Sequence, residues 1–219
     1  MLFNTLLVAH IAVLGYWLGS ELVINSTYRY VSWANSMPFA ERARLMDHVM
    51  DVDQHVRFAL VLQAGLGTAL AALLGYLPGG QRLALAAGVV TLGWLVLVEA
   101  THRLRKTAVG NTLAAVDRAI RYIAIPALCL LAGGALTGYI AMPDWLTWKL
   151  ILFAGVIACG IGIRWQLIRF FRTWQRIASD GSNETLEREI RNTYVAATSF
   201  LATLWLLIAG IVFLSLAKV

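Results

Sequence analysis

Charge is scarce in this chain. Of its 219 residues only 14% are Asp, Glu, Lys or Arg, 59% are hydrophobic, and the mean hydropathy is +0.70. A soluble domain of this length needs more polar surface than that, so the composition predicts an integral membrane protein. Cysteine is almost missing. Cys129 and Cys159 sit in apolar runs on different predicted helices and form no CxxC pair. That excludes a disulfide scaffold or a dithiol motif and leaves two small apolar side chains. Alternating segments of about ten residues are lacking, which excludes a transmembrane barrel. No nucleophile elbow, P-loop, Rossmann fingerprint or HExxH occurs, so hydrolase, ATPase and zincin readings have no support.

Long apolar runs are what the chain does have. A spanning helix needs roughly 20 apolar residues, because the hydrocarbon core is about 30 Å thick and each residue rises about 1.5 Å. Phe58 to Leu77, Tyr122 to Met142 and Tyr194 to Ala217 carry no charge. Phe3 to Ile24 is interrupted only by His10 and Glu21. Leu83 to Val98 is short but extends to Thr101, and Trp145 to Phe170 carries Arg164 near its end. The expectation is all-α: a polytopic membrane bundle of about six transmembrane helices, one domain over residues 1–219.

The basic residues orient it. Arg29, Arg42, Arg44 and Arg57 flank the first connection. Arg103, Arg105, Lys106, Arg118 and Arg121 flank the third, and Arg164, Arg169, Arg172, Arg176, Arg188 and Arg191 the fifth. Only Arg82, Lys149 and Lys218 of the 18 Lys+Arg fall on the other side. The positive-inside bias then predicts that these three connections are cytoplasmic, with both termini outside, in a bacterial inner (cytoplasmic) membrane. The net charge of +6 follows from that bias and implies no nucleic acid. The first helix has no basic n-region, so it is expected to insert rather than to be cleaved.

The outer connections, PGGQ (78–81) and MPDW (142–145), are short and proline-marked. The cytoplasmic ones read as helical extensions. Phe39 to Asp53 is a charged helix that can run into the second span, and Thr101 to Arg118 is amphipathic. The fifth span continues to Gly181, after which Ser182 or Asn183 can cap a new helix. Glu184–Arg188 and Glu187–Arg191 support that helix as i,i+4 pairs. Trp145 and Trp148 suit the outer interface, and Tyr30, Trp33 and Trp174 the inner one.

An ionisable side chain inside a span is costly and is read first as a site. On the first span His10, Leu14, Trp17, Glu21 and Tyr28 fall within about 40° of one line, which should point into the bundle. HVMDVDQH (48–55) places His48, Asp51 and His55 on one helical stripe. Imidazole and carboxylate on such a stripe can bind a divalent metal. Arg44 shares the stripe and opposes a cation there, so a solvated helix end laced with ion pairs stands beside the metal reading. Asp53 points instead toward Arg57. Glu99 and His102 lie one turn apart at the inner end of the third span, level with His55 and Glu21 by antiparallel packing, and Arg164 approaches the same level. These five residues define either a polar pocket or a mutually neutralised network. His10 lies in the outer third of its span, away from that layer.

The run AHIAVLGYWLG (9–19), with His10, Trp17 and Gly19, resembles the opening helix of the HemJ/CopD-like membrane proteins. The resemblance covers about a tenth of the chain. It implies a helical bundle that handles a porphyrin, a haem or copper, with His10 as the candidate axial ligand. The sequence departs from that pattern in three ways. Glu21 and then Arg29 follow where a proline–arginine pair stands in the HemJ type. Six spans exceed that type's four. Methionine-rich loops are absent, with five Met in all.

Three functions therefore stay open. The first is a redox protein that binds haem b or a porphyrin, with quinone or another membrane protein as partner. The second carries copper or another divalent metal past Glu21, His55, Glu99 and His102. The third is a non-catalytic subunit or assembly factor. The basic collar can meet anionic lipid of the bilayer in all three.

Overall fold

The computed structural model describes residues 1–105 and 107–217. Two of the basic residues used for orientation, Lys106 and Lys218, lie outside them. The described residues form six α-helices in order: α1 (Leu2–Trp33), α2 (Phe39–Leu73), α3 (Gly80–Arg103), α4 (Ala108–Leu136), α5 (Asp144–Asp180) and α6 (Glu184–Ala217). Among the described residues there is no strand. All six are long and apolar enough to cross a membrane. The chain is thus a multi-pass membrane protein of six helices, as its composition predicts.

Helix ends follow local chemistry. α2 stops four residues short of the apolar run, because Gly75 turns the chain at φ 79°. The left-handed region it uses is strained for any residue with a Cβ. Gly79, at φ 109°, then precedes α3. α4 begins earlier than its apolar run: the Thr107 hydroxyl accepts the Gly110 N–H at 3.0 Å and caps it. The amphipathic stretch after residue 107 is therefore the first turns of α4. Pro126 lies well inside this helix. There it removes one i→i−4 hydrogen bond and crowds the carbonyl of Tyr122. α5 runs unbroken to Asp180, and Gly181 at φ 86° ends it. Asn183 caps α6, its Oδ1 accepting the Leu186 N–H at 3.0 Å.

The chain packs as two compact units. Unit 1 comprises Met1–Ile24 and Val49–Tyr122, and unit 2 comprises Asn25–His48 and Ile123–Val219.

In unit 1, α1 and α2 run antiparallel. Gln63 Nε2 on α2 donates to the His10 carbonyl at 2.9 Å, and the Tyr16 hydroxyl pairs with His55. α2 and α3 are also antiparallel. They approach most closely at Gly65, where a Cβ would stand 1.8 Å from Thr91 Oγ1. Gln54 donates to the Val98 carbonyl at 3.2 Å further along the same pair. Glycine is what lets these two backbones come together.

In unit 2, α5 and α6 form a hairpin that fits bulk into glycine. A Cβ on Gly162 would lie 2.7 Å from the Phe200 ring, and one on Gly155 would lie 3.1 Å from Leu207. Lys149 Nζ donates to Ser215 Oγ at 2.9 Å. An aromatic cluster closes the arginine-rich end. Tyr28 meets Phe170 and Tyr194 edge-on at 4.9 and 5.2 Å, and Phe170 stacks on Trp174 at 5.2 Å. Trp174 is buried there, with the Arg42 guanidinium over its face at 5.1 Å. Glu187 also turns inward. It takes Arg42 through two hydrogen bonds of 2.7 and 2.9 Å instead of pairing with Arg191. Glu184–Arg188 does form, at 2.9 Å.

Candidate functional site

Unit 1 carries a groove of about 680 Å³ between α2 and α3, closed on one side by α1. Tyr16 comes from α1 and Phe58 and Leu62 from α2. Leu95, Val96, Glu99, Ala100 and Arg103 come from α3. The close contact of Gly65 with Thr91 lies midway along α3. Toward the Gln54 end, Phe58 and Leu62 line the groove and share a stripe of α2 with His55 at i+3 and i+7. The lining is almost wholly apolar until the last turn of α3. There Arg103 Nε donates to Glu99 Oε1 at 2.5 Å, and Gln54 Nε2 donates to the other Glu99 oxygen at 3.4 Å.

The polar layer expected from the sequence is present in part. His55 is held by Tyr16, ring centroids 5.7 Å apart and nearly perpendicular. His102 Nε2 lies 3.9 Å from Asp51 Oδ1, one helical turn along α2 from His55. Arg105 approaches the same Asp51 oxygen at 3.9 Å. Glu99 meets Gln54, so α2 and α3 are level here as antiparallel packing requires. Glu21 lies in unit 1 with them, buried at 6% exposure, and accepts the Trp17 indole N–H at 3.3 Å. Arg164 belongs to α5 and unit 2.

The stripe on α1 is the buried face of that helix. Trp17, Glu21 and Tyr28 are buried, while Ile11, Leu22 and Val23 are exposed. His10 is half-buried and packs at the opposite end from the polar layer. A Cβ on Gly67 would lie 3.5 Å from His10 Cε1. Gly67 is twelve residues beyond His55 on α2, about 18 Å at 1.5 Å per residue. His10 and His55 therefore stand at different depths and cannot share one metal ion. His48, Asp51 and His55 occupy the exposed face of α2, with His48 in unit 2. Among the described residues no three His, Cys, Asp or Glu side chains form a metal-holding group.

No family model matches this chain, and neither a curated protein nor a solved structure shows significant similarity to it.

Sequence reasoning missed one residue of consequence. Asp117 falls in the stretch Thr101 to Arg118 that the sequence marks only as amphipathic, yet it is 4% exposed and accepts the Trp94 indole N–H at 2.9 Å from the middle of α3. Arg121 pairs with it at 3.1 Å. The signal was present: Asp117 and Arg121 are an i,i+4 pair at the start of an uncharged run.

Proposed function

We propose that this membrane protein binds a flat, amphiphilic redox cofactor, a haem or porphyrin, in the groove of unit 1. The observation that carries the reading is the groove itself: an apolar slot with Glu99 and Arg103 at its polar end and Tyr16, the hydrogen-bond partner of His55, in its wall. Its volume falls within the roughly 300–1,000 Å³ usual for cofactor and small-molecule pockets.

The residues suit such a group. Phe58, Leu62, Leu95 and Val96 offer apolar faces to a macrocycle. Arg103 offers a guanidinium fork to peripheral carboxylates once it exchanges Glu99 for them. When the His55 Nδ1–H donates to the Tyr16 oxygen, Nε2 presents the lone pair that a metal accepts, and Tyr16 fixes the tautomer and ring orientation. A bound haem would supply one-electron chemistry; the chain's own part is to bind and orient it. The resemblance of residues 9–19 to the HemJ/CopD-like proteins supports the same class of ligand. His55 rather than His10 is the ligand assigned to this groove, because His10 lies at the wrong depth.

The test is a visible spectrum of the purified protein in mild detergent, as isolated and after dithionite, with haemin titrated into any cofactor-free fraction. A Soret band with reduced α and β bands, lost in His55→Ala and kept in His48→Ala, is the expected result. A folded protein that stays colourless with haemin in excess overturns the reading.

A further inference from the structure

A second cluster in unit 1 takes no part in the groove. It is a ladder of charge across three helices: Glu21 on α1, Asp53 and Arg57 on α2, Asp117 and Arg121 on α4. Arg57 holds Asp53 at 2.8 Å, and Arg121 holds Asp117 at 3.1 Å. The two pairs are joined, since Arg57 also lies within electrostatic range of Asp117. Asp53 in turn lies within electrostatic range of Glu21.

The ladder has one carboxyl too many. Three carboxyls face two guanidiniums, and arginine does not give up its proton in a protein. Asp53 and Asp117 each have an arginine four residues on. Glu21 has none among the described residues. It receives one long hydrogen bond from Trp17 on its own helix, and it faces the negative charge of Asp53. With 6% of its surface exposed, it cannot rely on water to balance a charge. An uncompensated carboxylate at the head of apolar spans is costly, and the smallest cation that relieves it is a proton.

We propose that Glu21 is an intramembrane proton-exchange site, the carboxyl that takes up and releases the proton balancing this ladder. The groups that set it are Trp17 on α1, Asp53 and Arg57 on α2, and, through Arg57, Asp117 and Arg121 on α4. The site is independent of the groove and of any cofactor in it.

The experiment is infrared difference spectroscopy of the cofactor-free protein in lipid, read in the region of the protonated-carboxyl C=O stretch, in H2O and D2O. The wild type is expected to show a deuterium-sensitive C=O band that bleaches as pH rises. Glu21→Gln should remove it, and Glu21→Asp should move it. Asp53→Asn is the stricter test. It leaves two carboxyls facing two arginines, so Glu21 should ionise and the band should vanish although Glu21 is still present. Far-UV circular dichroism and a single gel-filtration peak establish that each variant is folded. A band that survives Glu21→Gln, or one that Asp53→Asn leaves unchanged, overturns the proposal.

Discussion

Tyr16 on α1 and His55 on α2 share a hydrogen bond between the phenol hydroxyl and Nδ1, with the two rings edge-on. This one contact fixes which imidazole nitrogen is left for other work. It also ties the helix that closes the groove to the helix that walls it. Outer partners of this kind are typically worth about 10–100-fold in metal affinity. Tyr16→Phe should therefore weaken haemin binding by about that factor while leaving the helix content intact, and His55→Ala should abolish the Soret shift. Absorbance titration with haemin checks both. Equal affinity in Tyr16→Phe and wild type would remove His55 from the reading.

Arg103 and Glu99 should act in opposite directions. Their ion pair is exposed on the arginine side, so its rearrangement costs little, about 1 kcal/mol or less. Arg103→Ala should weaken binding of protoporphyrin about fivefold and leave its dimethyl ester unaffected, because only the free acid presents carboxylates. Glu99→Gln should strengthen protoporphyrin binding by releasing Arg103. Fluorescence quenching titrations with the two porphyrins measure this directly. The same loss for acid and ester would show that Arg103 acts through packing alone.

The groove's width depends on Gly65. A methyl there would overlap Thr91, whose hydroxyl is already bonded to the Ala87 carbonyl at 2.6 Å. Relief requires α2 and α3 to move apart, and overpacking of this kind costs typically 1–3 kcal/mol. Gly65→Ala should lower the thermal midpoint in detergent. Adding Thr91→Ala should restore part of it, since it removes the hydroxyl that a Cβ on residue 65 would meet at 1.8 Å, whereas Thr91→Ser keeps that hydroxyl and should restore less. A midpoint unchanged in Gly65→Ala would contradict the close approach.

The spans were legible in the sequence because hydrocarbon imposes one simple rule, a run of apolar residues of sufficient length. The antiparallel level of Glu99, His102 and His55 was legible too, since short connections leave neighbouring helices little freedom. Helix ends were less so. Gly75 stops α2 inside an apolar run, and Thr107 starts α4 inside a charged one; both depend on a single turn's geometry. The long-range pairs were not legible at all. Nothing local distinguishes Glu187 turning to Arg42 from Glu187 pairing with Arg191 four residues on. The difference is which face of α6 the hairpin buries. Asp117 was missed for the same reason: its partner Trp94 is supplied by another helix.

The pair of Arg42 and Glu187 should be the strongest single polar contact in unit 2. Both side chains are nearly free of solvent, at 2% and 4% exposure. Trp174 covers the guanidinium, and the Ser182 hydroxyl donates to the same carboxylate at 2.6 Å. Removing one partner of such a pair costs about 3–5 kcal/mol, because the other charge stays buried. Arg42→Ala and Glu187→Ala should each destabilise strongly, and the double variant should cost less than their sum. The contact should also depend on pH. Glu187 precedes the apolar span that begins at Tyr194. Burial pushes its carboxyl up, but the Arg42 and Ser182 hydrogen bonds and the Arg42 and Arg191 charges outweigh that and hold it below the ordinary carboxylate value. A lowered value means that the stabilisation is complete above the ordinary glutamate pKa of about 4.3. It is lost as pH falls through the lowered one. The wild type should thus lose thermal stability on acidification through that window, and Glu187→Gln should show a flatter profile from a lower starting point. Parallel acid profiles for the two proteins would show that Glu187 does not carry the dependence.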